Sequence, residues 1–229
     1  MRKQAIANAK PALRSIYEGW ERTDGSYRPD HGPRRRIRAG TKWKLPKPAA
    51  ALTQADLEAF RREHEGEFVV LPIERELYGF GRVIRGTRLG FYDLLSPSIP
   101  SVDEIERHSI LFVVDVLYGP LFTGRWRVIG KKPLPDDLKR PLKFYSHVQG
   151  TDFVEIHIAG EARPRSYAGE DLTKMENVNG WWSWSVEERL RSHFAGRPDL
   201  QLERLKIPAA RAERLRREYF ERQKARKGR

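Results

Sequence analysis

Residues 67–85, EFVVLPIERELYGFGRVIR, read as two short strands joined by a charged turn, and the rest of the chain falls into place around them. Phe68, Val69, Val70, Leu71 and Ile73 form one apolar run, and Leu77 to Ile84 form a second. The first run has no solvated face, as expected of a strand covered on both sides. Side chains alternate along a strand, so Tyr78, Phe80 and Arg82 share one face of the second strand, and Gly79, Gly81 and Val83 share the other. Glycine inside a strand marks a bulge, a bend or a close approach of backbones. The expectation is a small, strongly twisted sheet or a partial barrel.

Upstream, Thr53 with Asp56 forms a helix start, Leu52 and Leu57 are spaced for a hydrophobic staple, and Gly66 ends the helix. Earlier still, Ile6, Ala9, Leu13, Ile16 and Tyr17 recur at helical spacing, with Pro11 as a kink, predicting an amphipathic helix over 3–18. Residues 23–48 hold four prolines and the run Arg34, Arg35, Arg36 and Arg38, which reads as a basic arm or linker.

Downstream, Leu89 to Leu95 is a third strand, and Ser101 with Glu104 starts a short helix. Ile110 to Leu117 is β-branched enough for a central strand, in which Asp115 needs a structural hydrogen-bond partner. Gly124 to Ile129 is a half-exposed strand, and Leu142 to Val148 with Phe153 to Ile158 form a hairpin. About seven strands result, flanked by helices and not alternating with them. The fold class is therefore α+β, built on a mainly antiparallel sheet.

Residues 160–180 read as a loop. GWWSWSVEERLRSHF then supplies Trp181, Trp182 and Trp184 and a helix capped by Ser185 and Glu188, with Val186, Leu190 and Phe194 as its buried stripe. Pro208 opens a last, basic helix with pairs expected at Glu213 and Arg217 and at Glu218 and Arg222.

The 229 residues carry a net charge of +13, unevenly spread. Residues 1–64 hold 15 Lys and Arg against 7 Asp and Glu, residues 65–200 hold 18 against 20, and residues 201–229 hold 11 against 4. The chain thus divides into a basic arm (1–48), a near-neutral α+β domain (49–200) and a basic C-terminal helix (201–229). The absence of cysteine excludes disulfides and thiolate chemistry, and with no secretory signal or membrane-length apolar run it points to a cytoplasmic setting.

Catalytic signatures do not assemble. His31, His64, His108, His147, His157 and His193 are scattered without metal-ligand spacing, so neither a metal nor a cofactor is expected. Glu74 with Glu76 and Asp136 with Asp137 fall in turn-like sequence, and no nucleophile, base and oxyanion site converge.

Several segments, in order, resemble the family called immunity protein 26, immunity proteins of bacterial polymorphic toxin systems. They are FVVLPI (68–73), YGFGRV (78–83), FYD (91–93), Leu111 to Val114, and GRWRVIG (124–130) followed by Pro133. The resemblance spans roughly 66–195; the turn Glu74, Arg75, Glu76 departs from the Asp-Gly type usual there. It implies a protein that binds and neutralises a cognate toxin without catalysis. On this reading the partner-binding residues are Tyr78, Arg82, Tyr92, Asp93 and Trp182. The alternative is a nucleic-acid-binding accessory protein using the basic ends, with Arg34, Arg35, Arg36, Arg38 and Trp43 as contacts.

Overall fold

The computed structural model describes residues 39–44, 53–117, 119–147, 151–159, 161 and 163–227. The helix expected over 3–18, the staple residue Leu52 and the run Arg34 to Arg38 lie outside these. The elements are α1 (Gln54–Glu63), β1 (Glu67–Pro72), β2 (Tyr78–Arg85), β3 (Arg88–Ser96), α2 (Val102–Glu106), β4 (Ile110–Val116), α3 (Gly119–Thr123), β5 (Arg127–Lys131) and α4 (Asp136–Lys139). There follow β6 (Lys143–His147), β7 (Val154–Ile158), β8 (Arg165–Ser166), a 3-10 turn (Leu172–Lys174), β9 (Glu176–Asn177), β10 (Gly180–Trp181), α5 (Ser183–Phe194), α6 (Leu200–Leu205) and α7 (Ala209–Lys227).

The fold is α+β. Seven strands do lie between residues 67 and 158, but they are shared between two sheets. One has the order β10-β4-β3-β2-β1-β5, the other β8-β7-β6-β9. β1, buried along nearly its whole length, pairs antiparallel with β2 on one side and β5 on the other, so neither its edges nor its faces meet solvent. On one face, Val69, Leu71, Val83, Leu89, Phe91, Phe112 and Trp126 pack beneath Val186 and Leu190 of α5 and the rings of Phe60 and Phe122. On the other, Phe68, Val70, Phe80 and Tyr92 pack with Ile105 of α2.

The strand glycines of β2 act through close approach. A Cβ on Gly79 would stand 3.1 Å from the Ile73 side chain and 3.2 Å from Leu190, and one on Gly81 would stand 3.0 Å from the Phe91 ring. Their absence lets α5 and β3 settle onto the sheet. The β2 and β3 register also shifts between Gly79 and Gly81, the irregularity expected of glycine in a strand.

α1 begins with the anticipated capping box: the Asp56 amide donates to the Thr53 hydroxyl at 3.1 Å, and the Thr53 amide donates to the Asp56 carboxylate at 2.9 Å. Asp115 has the partners its position demands, accepting from Thr87 at 3.1 Å and from Arg88 at 2.8 Å.

Three local expectations need correction. Residues 160–180 are no simple loop: they contain β8 and then cross between the sheets, with β9 parallel to β6 and β10 parallel to β4. α5 starts before Ser185. The Leu117 amide donates to the Trp181 carbonyl, which holds Trp181 in β10, so the chain enters the helix at Ser183 with Trp182 as the cap residue; Ser185 is buried in the first turn. Neither expected pair on α7 forms: Glu218 pairs back to Arg214, at 3.8 Å, and not forward to Arg222, and no ion pair joins Glu213 to Arg217 among the described residues.

Two arginines close the seam between the sheets. Arg88 of β3 lies over the Phe144 ring of β6, 4.4 Å from its centroid. Arg189 of α5 stacks 3.7 Å from the Phe112 centroid and forks onto both oxygens of Glu176, at 3.0 and 2.6 Å. α7 covers the second sheet through Ala212 and Leu215, which join Tyr145, Val154, Ile156 and Ile207 in a separate apolar cluster.

Candidate partner-binding surface

Of the five residues read from the sequence as a partner site, Tyr78, Arg82 and Tyr92 come together on one covered face, and Asp93 and Trp182 lie apart from them. Arg82 is fully buried. The strand face that carries it is roofed by α2, and its guanidinium donates to Glu106 Oε1 at 2.6 Å and to the Lys132 and Pro133 carbonyls at 2.9 and 2.7 Å, above the Phe68 ring. Tyr92 is buried on the same face. Burial pushes its hydroxyl pKa up, against the pull of the Arg82 guanidinium beside it. The sequence reading displayed Arg82 outward because alternation says which residues share a face and nothing about what covers it. Both side chains hold the domain together.

Tyr78 is half-buried against the same cluster. Asp93 lies on the opposite face, exposed, and meets His193 at the end of α5, with 3.1 Å between the carboxylate oxygen and Nε2. Trp182 sits at the other end of α5. Eleven residues separate it from His193 along the chain, about 16 Å at the rise of an α-helix.

Exposure singles out a different pair. Trp43, Trp126 and Trp181 are buried, whereas Trp182 is 48% exposed and Trp184 40% exposed. Trp43, read as a base-stacking residue, is in the core: its indole stacks on His64 and meets Phe60 edge-on, and its Nε1 donates to Glu67 at 2.7 Å. The sequence offers Trp181, Trp182 and Trp184 as one cluster and puts only Trp182 among the contacts. A helical phase starting at Ser183, set by burial of Val186 and Leu190, is what turns Trp184 outward.

The base beneath this pair is rigid. Glu187, one turn beyond Trp184, is buried and accepts from Arg125 Nε at 2.7 Å, from a second Arg125 nitrogen at 2.5 Å and from Trp126 Nε1 at 2.8 Å. That carboxylate holds the Arg125 guanidinium above its ordinary pKa. Glu188 and Arg191 continue the outer face of α5; they pair with each other, and Arg191 also donates to the Ile73 carbonyl at 2.8 Å. Two indoles on a helix anchored this way form a stiff, amphipathic patch of the type enriched in interface hot spots.

Between the two sheets lies a cavity of about 590 Å³, lined by Tyr145, Met175, Trp181, Arg189, Leu205 and Ile207 among others. Its arginine is already committed to Glu176 and two aromatic rings. Among the described residues, no group of three His, Cys, Asp or Glu side chains could hold a metal ion, and no helix is long and apolar enough to cross a membrane.

The region that carries Arg82, Arg125 and Trp126 is similar to a known family. Residues 64–152 match the family Immunity protein 26. The matched segment runs from just before β1 into the β6–β7 connection, taking in every strand of the larger sheet except β10. It contains all five resembling motifs and Pro133 and stops short of α5, so the exposed tryptophans lie outside the match, at the start of a helix joined to it through Glu187. No curated protein sequence and no solved structure matches the chain.

The charge cluster on the α2 side of this segment makes stability pH-dependent. Lys132 bridges Asp103, at 2.9 Å, and Glu106. The Lys132 ammonium chiefly, with the Arg82 guanidinium, holds the Glu106 carboxyl below its ordinary pKa against the effect of burial. A depressed carboxyl contributes stability that is present above its unfolded pKa, about 4.3, and is lost as pH falls through the folded value. Glu106→Gln should therefore lower the urea midpoint at neutral pH, and the gap from wild type should narrow below about pH 4. A constant gap from pH 7 to 3 would count against the assignment.

Proposed function

We propose that this protein is an immunity protein that binds and neutralises a cognate toxin by occupying it, with no chemistry of its own, and that the Trp182 and Trp184 face of α5 is part of the docking surface. The single observation that carries the reading is the immunity protein 26 match over residues 64–152. The exposed indole pair supports the choice of surface, since large exposed aromatics on a rigid support are a common source of binding energy. Asp93, with its exposed His193 partner, and the half-buried Tyr78 belong to the same proposal as outlying contacts.

Co-expression tests it. The chain should restore growth to cells making the toxin encoded beside it, and the purified pair should form a complex. Trp182→Ala with Trp184→Ala should weaken that complex by roughly 30-fold or more, the loss of about 2 kcal/mol typical of a hot spot. Thermal unfolding of the free chain should stay within a few degrees of wild type, because neither indole is in the core. Unchanged survival with the wild-type chain would overturn the function, whereas unchanged affinity in the double variant would overturn only the surface.

A further inference from the structure

We infer that the outer face of α7 binds single-stranded nucleic acid, with Arg216, Arg217 and Lys224 taking backbone phosphates and Phe220 stacking on a base. This goes beyond toxin neutralisation and does not depend on it. Over α7 the chain has eight Lys and Arg and three Glu. Arg216, Arg217 and Lys224 are exposed and make no ion pair among the described residues. They flank Phe220 at four and three residues before it and four residues after it, so all four lie within an arc of about 100° on one side of the helix.

A stabilising role within the chain accounts for only part of this. Cations in the last turn complement the helix dipole, but Arg216 and Arg217 sit in the middle of α7, where that effect has faded. Phe220 remains 47% exposed, although Gly169 and Tyr219 touch one side of its ring. The adjoining side of the helix, with Ala212 one turn before Arg216 and Leu215 beyond it, is fixed to the second sheet, so that Arg216 edges the buried side and Phe220, Lys224 and Arg217 stand farther out on an anchored helix. Unpaired guanidinium and ammonium groups spaced along one strip, with an aromatic face among them, match the two needs of a single strand: neutralised phosphates and a stacking platform. The long basic side chains reach phosphates on either side of the ring without any base-specific hydrogen bond, so the binding is tolerant of sequence.

Fluorescence anisotropy of the full chain with a labelled oligothymidylate, and with a duplex of equal length, decides the point. The wild-type chain should bind the single strand more tightly, with affinity falling steeply between about 50 and 200 mM salt. Replacing Arg216, Arg217 and Lys224 together by Glu should weaken binding at least about tenfold and flatten the logarithmic salt slope by about two. Phe220→Ala should weaken it about tenfold with little change in slope. All four side chains are exposed, so circular dichroism should show both variants folded. Absence of binding at low salt, undiminished binding in the charge variant, preference for duplex, or indifference to Phe220→Ala would each overturn the inference.

Discussion

Arg82→Ala is expected to destabilise the chain by about 3–5 kcal/mol, seen as a drop in urea midpoint with little change in slope. The guanidinium has no solvent to fall back on and satisfies three acceptors at once: Glu106 and the Lys132 and Pro133 carbonyls. Removing it opens a cavity above Phe68 and leaves two carbonyls and part of a carboxylate without their donor. Arg82→Lys should be nearly as damaging, since an ammonium on a shorter stem cannot reproduce the planar fork that reaches all three. The same variant separates structure from binding: if toxin affinity measured below the melting transition is unchanged while stability falls, Arg82 is a strut. A midpoint within about 0.5 kcal/mol of wild type would contradict the buried network.

Trp126→Ala should cost a similar amount, about 3–5 kcal/mol, for a different reason. Its indole is fully buried against Phe91, with 5.7 Å between ring centroids, and its N–H is one of three donors holding Glu187 inside the protein. Truncation therefore removes core volume and weakens the solvation of a buried carboxylate together. Glu187→Ala should also destabilise strongly, because it strips the shared acceptor from Arg125 and Trp126. The two losses should be less than additive in the double variant, as for any pair in one network, and a double-mutant cycle by chemical denaturation measures the coupling. Full additivity would mean that the 2.8 Å bond carries no energy of its own.

These two sites show why part of the molecule could be read from the chain and part could not. Strand content was legible because burial on both faces leaves an unmistakable run of apolar residues in β1, and because a capping box and Gly66 bracket α1. The family resemblance was legible for the same reason: its motifs are local. What misled the reading was coverage. Arg82 looked displayed, and Trp43 looked available for stacking, because a charged or isolated aromatic side chain in one dimension has no visible neighbours. Their partners stand 24 residues away in each case, at Glu106 and Glu67. Ser185 satisfied the letters of a helix cap, yet the pairing of β10 with β4 started the helix earlier.

The chain alone, through periodicity, turn chemistry and motif order, settled the α+β class, seven strands between residues 67 and 158, and the resemblance confirmed over 64–152. Tertiary structure decided that those strands split into two sheets, that Arg82, Tyr92 and Trp43 are interior, and that Trp182 and Trp184 remain outside while Trp181 does not. The physical reason is that alternation and helical phase are properties of neighbours along the chain, whereas burial depends on which distant element lands on each face, and that is set only when Glu187 meets Arg125 and Trp126 across more than sixty residues.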